Sequence, residues 1–302
     1  FASATHVFTP SVGVRSGPGV MLSWWLKDAP TRATLEILDS TGTVLRTFEP
    51  DTTKPDTTRQ AGGGGGRRGG VTYLPKGSGV KSLLWDLRAQ GITTFPGMIL
   101  WGAGTSGPAV PPGRYKVRLT ADSHEATTTV VVTRNPQIPD VTEADMRAQW
   151  AFSKRIRDKA NEANQAVIGI RRVKAQLDDR LKRSDDATLK SKGATLKTNS
   201  SAVEEDVYQV RNQSGQDPLN FPIKVNNRLA TLLSMAERGD GRPTNNMPAI
   251  FDILSTELRG YTTRLDAVWK TDLAAVNAEL SRLKLPPLDP QCAKVEGCTV
   301  VP

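Results

Sequence analysis

Apolar residues along this chain follow two different periods, and the change falls near residue 135. Before it, short runs alternate with a period of two. Val20-Met21-Leu22-Ser23-Trp24-Trp25-Leu26 reads as a half-buried strand. Residues 33–38, the turn Asp39-Ser40-Thr41-Gly42 and residues 44–48 read as strand, tight turn, strand. Residues 80–87, residues 115–119 after Pro112-Gly113, and the Thr- and Val-rich stretch 126–133 complete a set of six or seven strands. Short strands at this spacing predict an antiparallel β-sandwich over residues 1–135.

After Pro136 and Pro139 the period becomes helical. Thr142-Glu143-Ala144-Asp145 has the form of a helix start, with Thr142 as cap and acidic groups in the first turn. Ile156, Ala160, Ala163, Val167, Ile170, Val173, Leu177 and Leu181 then recur at alternating spacings of mostly three and four, the seam of a bundle. Ser184-Asp185-Asp186 predicts a turn and a new cap, followed by a more polar helix over roughly 185–213. Asn220-Phe221-Pro222 predicts the start of a third helix, which stops at Gly239-Asp240-Gly241. Pro243-Thr244 predicts the start of the last, which Pro286-Pro287 ends. Its apolar stripe slips once, where Asp272 takes the expected place and Leu273 sits beside it. The reading is therefore α+β and multidomain. A β-sandwich over 1–135 precedes an antiparallel bundle of about four helices over 136–288, and a tail covers 289–302.

Two segments interrupt the sandwich. Residues 51–70 hold five consecutive glycines, Gly62 to Gly66, and read as a surface loop. They lack the Gly-Lys-Ser/Thr of a phosphate-binding loop. Residues 91–112, with Phe95-Pro96-Gly97-Met98-Ile99-Leu100-Trp101, are too apolar for a free loop. They are expected to fold back on the sandwich or against a neighbouring domain. Trp24 and Trp25, adjacent in a strand, point to opposite faces, so one of them is expected outside the core. Such aromatics suit docking or sugar stacking. Trp24, Trp25, Phe95, Met98, Ile99 and Trp101 are the docking residues this reading selects.

Candidate chemistry is sparse. The chain has 302 residues, a length that leans towards two domains, with only two histidines and two cysteines. That is too few for most zinc sites, and no metal or cofactor is expected. Ser123 and His124 are sequence neighbours in a turn, with no nucleophile elbow. Asp178-Asp179, Asp185-Asp186 and Glu204-Glu205-Asp206 are adjacent acids, which do not face each other on a helix. Cys292 and Cys298 read as a small terminal disulfide or as a pair of free thiols. The net charge is +9, with 15 Lys+Arg against 9 Asp+Glu in residues 1–135 and 25 against 22 in the rest. This spread charge lacks the clustered basic and aromatic pattern of a nucleic-acid surface, so nucleic acid is not expected, though an acidic polymer is compatible. No stretch approaches 18 consecutive apolar residues, so no spanning helix is expected. A chain starting at Phe1 reads as processed or as part of something longer.

Trp85-Asp86-Leu87-Arg88, Phe95 to Trp101, Gly107-Pro108 and Pro112-Gly113-Arg114-Tyr115-Lys116-Val117 resemble the C-terminal region of large secreted bacterial β-propeller proteins of the BNR, sortilin-like type, commonly labelled glycosyl-hydrolase-like. Ile156-Arg157-Asp158-Lys159, Glu162-Ala163-Asn164, Ile170-Arg171 and the run Leu219-Asn220-Phe221-Pro222-Ile223-Lys224-Val225-Asn226-Asn227-Arg228-Leu229 resemble the helical tail of that family. The 39–48 hairpin, Trp85-Asp86 and Pro112-Gly113-Arg114-Tyr115 are also similar to the Ig-like domain of flagellar hook-capping proteins. The resemblance implies an Ig-like sandwich, an exported bacterial protein, and a propeller upstream of Phe1 as docking partner. The chain has no Ser-x-Asp-x-Gly-x-x-Trp Asp-box, so any catalytic residues of such a family would lie outside it. It is therefore expected to be a non-catalytic interaction or assembly module. The alternative is a carbohydrate-binding accessory module of a glycoside-hydrolase-like protein.

Overall fold

The computed structural model describes residues 4–51 and 72–291. The glycine-rich stretch beyond Asp51 and the Cys292–Cys298 pair lie outside the described residues.

The chain is α+β. Its strands are β1 (Thr5–Val7), β2 (Gly13–Val14), β3 (Val20–Leu26), β4 (Ala33–Leu38), β5 (Val44–Phe48), β6 (Gly79–Trp85), β7 (Gly113–Ala121) and β8 (His124–Thr133). Its α-helices are α1 (Glu143–Lys182), α2 (Ala187–Val207), α3 (Val225–Ala236), α4 (Met247–Val268) and α5 (Ala274–Arg282). The strands form an antiparallel three-stranded sheet, β1-β3-β6, and a five-stranded sheet, β2-β8-β7-β4-β5. The larger sheet is mixed, because β2 runs parallel to β8. Alternation buries one face of each strand. Leu22, Trp24, Leu83 and Trp85 from the first sheet share one core with Leu35, Ile37, Val117 and Leu119 from the second. The Asp39–Gly42 turn joins β4 to β5 as its residues dictate. The Asp39 carboxylate accepts from the Thr41 and Thr43 amides at 2.9 and 3.0 Å, and Gly42 takes φ +84°.

The chain divides into two compact units, and their composition differs from the simple order of the sequence. The β unit comprises Phe1–Gly91, Gly104–Lys154 and Met235–Thr244. The helical unit comprises Ile92–Ala103, Arg155–Ser234 and Asn245–Pro302.

Helix boundaries follow local chemistry. Thr142 and Asp145 form a reciprocal cap: the Asp145 amide donates to Thr142 Oγ1 at 3.1 Å, and the Thr142 amide donates back to Asp145 Oδ2 at 3.2 Å. The Thr142 hydroxyl and amide hold the Asp145 carboxyl below the usual carboxylate range. Asp186 caps α2 by accepting from the Leu189 amide at 2.8 Å. The Arg282 guanidinium, then that amide bond, hold its carboxyl low.

Three boundaries differ from the sequence reading. α2 ends at Val207 rather than near 213, because Tyr208 turns into extended backbone (φ −131°, ψ 143°). α3 begins at Val225 rather than at Phe221-Pro222. The Asn220 and Phe221 amides close a 3-10 turn onto the Asp217 carbonyl at 2.8 and 2.9 Å, which delays the helix. α4 begins at Met247 rather than at Pro243, because residues 235–244 belong to the β unit.

The slip at Asp272-Leu273 is a π-helical turn, Trp269–Leu273, that carries α4 into α5. One extra residue per turn moves the apolar stripe by one position. Leu273, Val276 and Leu280 thereby return to a core shared with Val173, Leu177, Leu189 and Leu196.

The end of α5 carries a prediction. The Leu285 amide reaches the Leu280 carbonyl at 2.8 Å and the Lys284 amide reaches Ser281 at 3.1 Å, a Schellman closure. It forces Lys284 to φ +58°, where a side chain is strained. Lys284→Gly is therefore expected to stabilise the protein by about 0.5–1 kcal/mol, read as a higher urea midpoint.

Candidate functional site

The six expected docking residues divide between the two units. Trp24 is fully buried in the β core. Trp25 lies on the opposite face of β3, half-buried. Phe95, Met98, Ile99 and Trp101 belong to the helical unit.

On the outer face of the three-stranded sheet, strand register sets side chains in rows. Met21 stands opposite Leu84, Ser23 opposite Ser82, and Trp25 opposite Val80, with His6 on the other side of Trp25. The two serine hydroxyls meet at 2.9 Å. His6 and Phe8 meet edge to face at 5.0 Å. Met21, Leu84 and Val80 are 51, 49 and 63% exposed. None of these positions bears a fixed charge, in a protein of net charge +9. A sheet face of this kind presents apolar and aromatic groups to solvent where polar ones are the norm.

In the helical unit, residues 92–103 form a strap that turns at Pro96-Gly97, where the Met98 amide reaches the Phe95 carbonyl at 3.1 Å and Gly97 takes φ +74°, and polar side chains grip its backbone. Asn161 accepts from the Thr93 amide at 2.7 Å, and Asn164 donates to the Thr93 carbonyl at 2.7 Å. Tyr208 Oη donates to the Gly97 carbonyl and accepts from the Ile99 amide, both at 3.1 Å. Asn227 binds both backbone groups of Trp101, accepting from its amide at 2.7 Å and donating to its carbonyl at 3.0 Å. Arg171 donates to the Pro96 carbonyl at 3.2 Å. Its guanidinium lies 4.8 Å from the Phe95 ring centre and 5.4 Å from that of Tyr208. Phe95 and Tyr208 pack edge to face at 5.0 Å. Glu204, itself buried, takes Arg171 and Lys174 on its two oxygens, each at 2.7 Å.

Helical spacing explains the array. Asn161, Asn164 and Arg171 share one side of α1, three and ten residues apart. Tyr208 is brought in where α2 ends, and Asn226 and Asn227 open α3. Asn226 donates to Asn164 at 3.3 Å, so the buried amides orient one another. Sequence reasoning selected the strap's apolar residues but gave no role to the asparagines.

A second buried polar cluster lies within the β unit. Arg15, 1% exposed, donates to Asp240 Oδ1 from Nε at 3.0 Å and Nη2 at 2.6 Å. It also donates to the Val110 carbonyl at 2.9 Å and Gln149 Oε1 at 2.8 Å. The Gln149 amide donates to the carbonyls of Ala236 and Gly239, both at 2.8 Å. Nearby, Tyr115 donates to the Pro111 carbonyl at 2.6 Å, and burial pushes its phenol up to about 12.

The adjacent acids are tied into ion pairs: Asp178 with Lys197, Asp179 with Arg180 and Arg183, Asp185 with Lys190, and Asp186 with Arg282. Among the described residues no three His, Cys, Asp or Glu side chains come together as a metal site, and no helix is long and apolar enough to cross a membrane.

No family model matches the sequence, and no curated protein matches it. Among solved structures, the chain is similar to a biofilm associated protein's BSP domain at 13% identity and a TM-score of 0.21, over 43% of this chain and 15% of that one. A likeness of that size carries no argument about fold or function.

Proposed function

We propose that this chain is a non-catalytic docking module, that its β unit is an Ig-like sandwich followed by an antiparallel bundle, and that it docks to a β-propeller domain of the same exported protein. The observation that carries the reading is the uncharged outer face of the three-stranded sheet, with Met21, Trp25, Val80 and Leu84 in register. β1 begins at Thr5, beside that face. A domain joined ahead of Phe1 would be tethered within a few residues of it, at high effective concentration.

The test compares this chain with the native protein purified from its source. If the longer protein carries a propeller, amide exchange in β3 and β6 is expected to slow relative to this chain alone. Val80→Lys with Leu84→Lys should restore fast exchange. These exposed positions change stability by only about 0.5 kcal/mol each, so the variants report docking rather than folding. Equal exchange in the two proteins sinks the reading. Quenching of Trp25 fluorescence by an oligosaccharide panel would replace it with carbohydrate binding, where Trp25 and the Ser23–Ser82 pair form the sugar platform.

A further inference from the structure

The strap in the helical unit is held chiefly by bonds to its backbone. The Thr93 amide and carbonyl, the Pro96 and Gly97 carbonyls, the Ile99 amide and both Trp101 groups are taken by side chains of Asn161, Asn164, Arg171, Tyr208 and Asn227. Peptide recognition divides the work the same way: backbone bonds give affinity and a few pockets give selectivity. Here the pocket residue is Phe95, buried between Arg171 and Tyr208. None of these bonds requires the peptide to be covalently continuous with its receptor.

The strap belongs to the helical unit, while the chain on either side of it belongs to the β unit. These two flanks lie back to back within the β unit through glycines that admit no side chain. A Cβ on Gly91 would fall 2.1 Å from the Thr105 carbonyl oxygen, and one on Gly107 would fall 2.0 Å from that of Ala89. Reciprocal bonds close the base, from the Ala89 amide to Pro108 at 2.9 Å and from the Val110 amide to Leu87 at 2.8 Å. The base is thus complete without the strap.

We propose that the helical unit is a receptor groove for a turn-bearing peptide of the Phe-Pro-Gly-Met-Ile-Leu-Trp type, filled in cis by residues 93–101 with their turn at Phe95–Met98, and that it accepts the same segment from a second copy of the chain. The second copy is the donor on the page, since it carries the matching segment on the same closed base. The cis strap dominates while it is intact, because tethering gives it a high effective concentration. Exchange becomes visible when the cis strap is weakened.

The experiment uses two full-length variants. The acceptor carries Phe95→Gly in its own strap and keeps the groove. The donor keeps the strap and carries Asn227→Ala with Arg171→Ala. Each alone is expected to run as a monomer by light scattering, and the mixture as a 1:1 heterodimer. A synthetic peptide of residues 91–104 should saturate the acceptor, raise its melting temperature, and bind at least about tenfold more weakly when Asn227→Ala is added to it. If the Phe95→Gly acceptor fails to fold, Trp101→Ala, a milder change at a partly exposed residue, serves as the acceptor in both measurements. No saturable peptide effect on a folded acceptor overturns the groove as a receptor. Peptide binding without the heterodimer overturns the second copy as donor.

Discussion

Arg15→Ala is expected to destabilise the β unit by about 3–5 kcal/mol, because it strands a buried carboxylate. Asp240 sits 225 residues away in sequence, its side chain 4% exposed, and takes Arg15 Nε and Nη2 on one oxygen. The same guanidinium satisfies the Val110 carbonyl and Gln149 Oε1, so alanine leaves three acceptors unmatched. Domains of this size have about 5–15 kcal/mol in total, so the loss is a large share of the stability. Urea unfolding followed by tryptophan fluorescence reads it, since Trp24 and Trp85 lie in that unit's core. Two companions separate the causes. Arg15→Met with Asp240→Leu removes both charges together and should recover most of the loss. Asp240→Asn keeps an acceptor and should cost about 1–2 kcal/mol. A loss under about 1 kcal/mol in Arg15→Ala would mean that Asp240 relaxes to water, and that residues 235–244 are held by Gln149 and by the bonds of Arg88 and the Ala109 amide to Glu237.

Much of the architecture could be read from spacing. Alternation located β3 to β8 because each strand has one face in a common core. The three-four seam located α1 for the same reason. Even the π turn left a mark, as the slip of the stripe at Asp272-Leu273. The missing pieces carry no period. β2 is two residues long and pairs in parallel, so nothing alternates. Residues 235–244 interrupt the helices by composition, and contacts such as the Arg15–Asp240 pair show that they belong to the β unit. Composition treats both as surface charges, yet each is buried by its match to the other.

The site was legible only in its apolar half. Phe95 to Trp101 looked too greasy for a loop, and the structure places that segment in the helical unit. One of Trp24 and Trp25 was expected outside the core, but which one, and its companions Met21, Val80 and Leu84, emerge only once β3–β6 register is known. The asparagines were invisible for a physical reason. An amide on a helix is unremarkable unless a foreign backbone lies within 3 Å, and that is a property of tertiary structure.

Arg171→Ala is expected to cost about 2–4 kcal/mol and to loosen the strap before anything else in the helical unit. Three contributions converge on this side chain. Its plane lies over Phe95 and Tyr208, worth about 0.5–2 kcal/mol where partly desolvated. Its bond to the Pro96 carbonyl adds about 1 kcal/mol. Its pairing at 2.7 Å neutralises Glu204, whose side chain is 7% exposed and which would keep only Lys174. Arg171→Lys is expected to recover little, because an ammonium cannot stack on two rings and serve the carbonyl and carboxylate at once. The ordering of events distinguishes a strap clamp from generic packing. In Arg171→Ala, the Ile99 and Trp101 amides, bonded to Tyr208 and Asn227, should exchange faster at urea concentrations where α1 amides remain protected. Adding Glu204→Ala removes the stranded carboxylate and should return the Glu204 part of the loss while the strap amides stay fast. If strap and helix amides instead lose protection together in the single variant, Arg171 is part of the helical core and not the clamp that closes on the strap.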